Sequence, residues 1–321
     1  MENSVKDAEE RKKPLYMNCE GVIVPAVLSE EAVRSAIHYS HRPGDLFITT
    51  YPKCGTTWMQ HIVMLILQDG KPINDPLEFF LRSPSIEMCG ADAIDLMPGP
   101  GVIKTHLPVE KMKMNPKAKY IFVARNPKDC CVSLYYHTKN LLFYKFEDGT
   151  FDEFFQLFIE GNVDYGDYFD HLLPWYNRRH DDNIYFTTFE RIKKNTKEEV
   201  LNIAAFIDKK HREKLENDPK LLDDILYYSS LDYMKTHSNY KCFVQKLSEH
   251  IKQGKPISSG LKAFYTNLHD ESGNKSMKGE FIRKGSIGDW KNHFTPEQER
   301  IFQEKIKMKT RNSDVMDLWK E

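Results

Sequence analysis

The run TYPKCGTTW, Thr50–Trp58, constrains this chain more than any other stretch. It ends a β-branched and aromatic segment, Asp45–Tyr51, and opens an apolar one, Trp58–Leu67, of helical length and composition. Strand, loop and helix therefore follow one another without room for anything else. Gly55 lets backbone amides turn inward, the helix start leaves N–H groups without partners, and Lys53, Thr56 and Thr57 add donors, so the loop suits an anion. The order differs from a Walker loop, because the lysine precedes the glycine. Taken alone, the nonapeptide also fits an ordinary capped turn with Trp58 in the core.

Three further short runs look like buried strands: Gly101–Lys104, Lys119–Ala124 and Asn183–Thr187. A helical stretch follows Asn126 and Pro127 through Tyr136, and strands alternating with helices predict an α/β fold. We expect a single domain over 1–321, with a central parallel β-sheet flanked by helices and a P-loop-like, phosphate-binding strand-loop-helix. Residues 1–40 form an amino-terminal segment. Thr196 and Glu199 predict a capping box opening a helix through Phe206, and Thr295, Pro296 and Gln298 predict another running to about Met308. Between them, residues 245–279 are rich in Lys, Ser, Gly and Asn, which predicts an extended lid loop.

Charge and cysteine usage narrow the function. Against 47 Asp and Glu stand 46 Lys and Arg, so no overall cationic field holds a nucleic acid, and a phosphate-bearing partner must be gripped locally. The apolar stretch Ile62–Leu67 falls far short of the ~18 to 20 residues that span a bilayer. Residues 1–14 lack the apolar core of an export signal. The six cysteines show neither CxxC nor His-paired spacing, as expected of reduced thiols in the cytoplasm rather than a metal site.

Where a magnesium-dependent phosphotransferase ends a strand in Asp, this chain has Lys104, Thr105 and His106, which argues against a nucleotide kinase. Protein cations would then neutralise the anion, and His106 could accept a proton near pH 7, although a lone histidine is often structural. Arg125 at the next strand end, with Ser133 eight residues on, forms a second anion grip. Arg283, Lys284 and Gly285 suit a phosphate-wrapping loop or, equally, a solvated basic turn. Two grips and a nearby aromatic point to a nucleotide phosphorylated at two places.

These residues resemble the cytosolic sulfotransferases, which move a sulfuryl group from 3′-phosphoadenosine-5′-phosphosulfate (PAPS) to a hydroxyl or amine of a small acceptor and release PAP. The likeness spans about Asp45 to Thr295 and rests on TYPKCGTTW and on RKGSIGDWKNHFT at Arg283–Thr295. It implies that Lys53, Cys54, Gly55, Thr56 and Thr57 surround the phosphosulfate, and that Trp58, Phe189, Ser229 and Leu231 meet the adenine. It also implies that Arg125, Ser133, Arg283, Lys284 and Gly285 bind the 3′-phosphate, beside Phe281 and Ile282. His106 is the implied base, with Lys53, Lys104 and Ser133 as the other catalytic groups and no metal. Pro52, Ser85, Met88, Lys104, His106 and Tyr165 are the implied acceptor contacts.

Several positions depart from the family pattern: Cys54 replaces a Ser, Phe189 a Tyr, Leu231 a Phe, and Ser85 an acceptor-pocket aromatic. In the family's dimer motif, which would begin at Lys291 and Thr295, Pro296 replaces Val and Arg300 replaces Glu, so a homodimer through that segment is not expected.

Overall fold

The computed structural model describes residues 12–237, 240–272, 277–278 and 282–320. Strands β1 (Tyr16–Cys19) and β2 (Val22–Pro25) form an antiparallel hairpin in the amino-terminal segment. The central sheet contains β3 (Leu46–Thr50), β4 (Ile103–Thr105), β5 (Lys119–Ala124) and β6 (Ile184–Thr188), in the order β4-β3-β5-β6 and parallel throughout. This is the α/β architecture expected from the alternation of strand and helix.

Strand residues alternate between two cores, as a period of two requires. Phe47, Tyr120 and Phe122 join one core with Phe169, Leu172 and Trp175 of the Tyr168–Asn177 helix. Ile48, Ile121 and Val123 join the other with Met59, Ile62 and Val63 of the Thr56–Leu67 helix and Val200 of the Thr196–Ile207 helix. The first core is aromatic: Phe122 stacks on Trp175 at 5.3 Å and on Phe186 at 5.4 Å. Register fixes what leaves the sheet. Thr49 pairs with Thr105 and Thr50 with Val123, so the chain segments after β3, β4 and β5 emerge together at the carboxyl ends, where α/β folds place ligands.

The Thr295 capping box forms as read, and its helix runs from Pro296 to Thr310. The one expected at Thr196 does not. Asn195 occupies the N-cap position, and the Thr196 hydroxyl donates to the carbonyl of Ile192, at the end of the Phe189–Lys194 helix immediately before it. Glu199 turns inward instead, accepting from Thr187 at 2.6 Å and pairing with Arg191 at 2.6 Å.

The described residues of the 245–279 segment are largely helical, not the extended loop expected. Helices span Tyr240–Lys252 and Ser259–Ser272, burying Phe243 and Leu247 from the first and Leu261, Phe264 and Leu268 from the second. Their buried apolar residues recur every three or four positions, a pattern that the intervening Lys and Ser obscure in the sequence. Gly260 lets the second helix approach the Ile86–Cys89 segment, since a Cβ there would lie 2.5 Å from the Cys89 backbone. Leu261→Ala should therefore lose about 2–5 kcal/mol in urea unfolding. A loss below about 0.5 kcal/mol, as for a surface loop, would contradict this packing.

Candidate active site

The loop after β3 is built by backbone conformation. Lys53 has φ 69° and Gly55 φ 101°, and a Cβ at Gly55 would lie 3.0 Å from the Phe189 ring. Gly55 caps the Thr56–Leu67 helix without a side chain, leaving its first-turn N–H groups to an external acceptor. The Thr50 and Thr56 hydroxyls, 2.6 Å apart, tie strand end to helix start. Burial, then Lys104 and Arg125, push the Lys53 ammonium down to about 7. Its Nζ lies 3.3 Å from Nδ1 of His137.

At the end of β4, His106 is held by its own strand's neighbours. Nδ1 lies 2.8 Å from the carbonyl oxygen of Thr50, which can only accept, so Nδ1 carries the proton and Nε2 the lone pair. Burial, then Lys104, lowers the His106 pKa well below the ordinary histidine value. The buried Glu87 organises the segment: its Oε1 accepts from the Thr105 hydroxyl at 2.6 Å, His106 N–H at 2.5 Å and Leu107 N–H at 3.0 Å. Lys104 is lowered by burial, against which Glu87 acts.

Arg125 leaves β5 and donates to the carbonyls of Lys53 at 3.0 Å and Ser286 at 3.1 Å, lying 4.5 Å over the Phe189 ring. Its buried Nε has no hydrogen-bond partner among the described residues. Asn126 caps the Pro127–Asn140 helix, which presents Ser133 and, one turn on, His137 to the same cavity. Arg283 and Lys284 each donate to Asp289 at 2.7 Å. Burial opposes ionisation of Asp289, but the hydrogen bonds from Lys284 and Arg283 outweigh it and hold the carboxyl far below the usual range. Asp129 fixes the loop by accepting from the N–H groups of Gly288 at 2.6 Å and Trp290 at 3.0 Å.

Two cavities meet here. One, of about 140 Å³, collects the anion-loop residues Lys53, Gly55, Thr56 and Thr57, the aromatic wall of Trp58 and Phe189 with Leu231, and Arg125, Ser133, Ile282, Arg283, Lys284 and Gly285. The other, of about 280 Å³, is mostly apolar and contains Ser85, Met88 and Tyr165. Pro52, Thr57, Lys104, His106 and His137 line both. His106 thus stands at the junction, between a cation-lined cleft and an apolar chamber.

Two expected contacts are corrected. Cys54 faces the core, its thiol 3.8 Å from that of Cys130 and its N–H donating to Tyr51, so it offers the cleft no donor. Ser229 is buried, with its hydroxyl on the Ile225 carbonyl; its own carbonyl accepts from the Trp58 indole at 2.9 Å, so it reaches the cleft only through Trp58. Phe281 lies outside the described residues. His137 and Glu87 were missed in the sequence. The first sits at i+4 from Ser133 on one helix, a spacing that could have found it; nothing local marks the second.

Among the described residues, no group of three His, Cys, Asp or Glu side chains could hold a metal ion, and no helix is long and apolar enough to cross a membrane. The family model for the sulfotransferase domain matches residues 43–314. Mouse sulfotransferase 1B1 is 34% identical over 282 residues, covering 84% of each chain. Mouse sulfotransferase 2B1 is 34% identical over 299 residues, 89% of this chain and 78% of that relative. Among solved structures, mouse sulfotransferase SULT7A1 complexed with PAP aligns over 94% of this chain and 96% of its own, with a TM-score of 0.69 and 27% identity. Fold, site and similarity agree: the chain belongs to the sulfotransferase family.

Proposed function

We propose that this sulfotransferase moves a sulfuryl group from PAPS to a hydroxyl or amine of a small acceptor, with His106 as general base. The observation that carries the reading is the position of His106 where the two cavities join, its Nδ1 committed to Thr50 and its Nε2 carrying the lone pair. The cleft suits a doubly phosphorylated nucleotide on the evidence of its own groups: an uncapped helix start and Lys53 at one end, and an orphaned Arg125 Nε with Arg283 and Lys284 at the other. PAPS supplies the activated sulfuryl group and leaves as PAP. Trp58 and Phe189 offer the adenine an aromatic wall, and Ser133 adds a hydroxyl donor.

His106 Nε2 takes the proton from the acceptor oxygen as that oxygen attacks sulfur. Being neutral, it is ready to do so without first losing a proton. Lys53 and Lys104 offset the negative charge that grows on the departing phosphate. Chemistry of this kind depends on positioning and fixed charge, which requires no metal from the chain. The Tyr240–Lys252 and Ser259–Ser272 helices place Tyr240, Phe243 and Phe264 on the apolar chamber, which supports a cover over the acceptor site. Arg300 pairs with Glu297 and Glu304 on its own helix, in keeping with a segment not used for a homodimer. Buried free thiols at Cys54, Cys89, Cys130 and Cys131 support work in the cytoplasm.

Replacing His106→Ala should lower kcat about 10²–10⁴-fold in a labelled-sulfate assay while PAP still binds within about threefold of its original affinity. Turnover near that of the parent would remove His106 from the base role. A second expectation concerns pH. In the protein without nucleotide, Lys53 loses its proton through about pH 7, and a bound anion restores it. The value of kcat/KM for PAPS, which reports the free enzyme, should therefore fall as pH rises above about 7, while kcat holds to higher pH. The pH profiles check this, and a kcat/KM level from pH 6 to 9 would contradict it.

A further inference from the structure

The acceptor chamber contains a carboxylate that the transfer chemistry does not use. Asp164 lies in the turn before the Tyr168–Asn177 helix, is 2% exposed, and lines the apolar chamber. One of its oxygens, Oδ2, accepts from the Tyr144 hydroxyl. The other, Oδ1, is buried with no hydrogen-bond partner among the described residues. The next residue, Tyr165, has its ring 5.2 Å from that of His106, so carboxylate and base face one chamber from adjoining walls.

We propose that Asp164 determines acceptor specificity by receiving the ammonium group of an amine-bearing acceptor whose hydroxyl lies at His106. The proposal rests on the sulfotransferase reading above and names the acceptor class for the same site. Three observations carry it. Asp164 is the one acidic side chain among the described residues lining the chamber, where the lysines are Lys71 and Lys104. An orphaned buried carboxylate oxygen is costly, and a ligand donor is what removes that cost. Tyr144, Phe143 and Tyr165 place aromatic faces on the same chamber, suited both to an aryl ring and to a cation beside it.

A neutral hydroxyl at this position would be met equally well by Ser or Asn, without burying an ionisable group. Burial pushes the Asp164 carboxyl up to about 7, opposed by the Tyr144 hydrogen bond, so a cation brought against it is what restores the ionised form. The acceptor class is therefore an aryl-alkyl amine carrying a hydroxyl. During transfer the acceptor O–H bond breaks, its proton goes to His106 Nε2, the oxygen–sulfur bond forms, and PAP departs with the electron pair of the broken bridge. Asp164 takes no part in bond making.

The test pairs tyramine with 4-ethylphenol, which keeps the ring and chain but lacks the amine. Sulfation from PAPS and binding in the presence of PAP are both measured on the full chain. The parent should favour tyramine in kcat/KM, and Asp164→Asn should reduce the tyramine to 4-ethylphenol ratio about 10- to 100-fold. Asp164→Glu should retain part of the preference. An unchanged ratio in Asp164→Asn, or both acceptors declining together, would overturn the proposal and leave Asp164 as a support for Tyr144. Should the Asn variant fail to fold, the parent decides: equal or weaker use of tyramine, or no binding of it beside PAP, overturns the proposal. Turnover of 4-ethylphenol without an amine preference defeats only this inference, whereas absence of PAP binding defeats the sulfotransferase reading beneath it.

Discussion

Positive and proton-accepting groups crowd together at the carboxyl ends of β3, β4 and β5, and the site depends on that crowding. Lys53, Lys104, His106 and His137 are all pushed toward their neutral forms, in each case chiefly by burial. Arg125 adds a charge that cannot be discharged. A fold bears such an arrangement only when something else requires it, and an anion bound among these groups is the physical reason that fits. Burial, with Lys104 beside it, keeps His106 neutral, so the surroundings that favour an anion also leave the imidazole unprotonated.

Two carboxylates keep the arrangement in place from outside the cavities. Glu87 gathers the Thr105 hydroxyl and the His106 and Leu107 N–H groups on one oxygen, which fixes the β4 end and hence the imidazole. Asp289 holds Arg283 and Lys284 on the far side, anchored through a loop that Asp129 bonds by two backbone N–H groups. A phosphate held there, as proposed, would have to share or displace the Asp289 contacts of Arg283 and Lys284. His106 lines both the cleft and the chamber, which is the geometry the proposed transfer needs.

How much of this is legible in the sequence follows from how local each signal is. The strand, loop and helix around Lys53 and the capping box at Thr295 are read correctly because every residue they need lies close by in the chain. The Thr196 box fails for the opposite reason: a helix ending just before it offers the hydroxyl a nearer carbonyl. The helices of residues 240–272 are obscured by the Lys and Ser of their outer faces, and only packing against the Ile86–Cys89 segment reveals the buried stripe. Cys54 and Ser229 hold positions in the motif but not its contacts, because position cannot say which way a side chain turns. Glu87 reaches Thr105 across 18 positions and Asp164 reaches Tyr144 across 20, and no local pattern marks such pairs.

The central claim is that the cleft recognises phosphate at both ends of one nucleotide, and calorimetry with PAP and adenosine 5′-monophosphate tests it most directly. The two ligands differ only in the 3′-phosphate, which the account assigns to Arg125, Ser133 and the Arg283–Lys284 loop. PAP should bind at least about tenfold more tightly, the worth of one or more charge-assisted hydrogen bonds. Equal affinity for the two would contradict the assignment of the far grip and, with it, the orientation that brings the reacting end to His106.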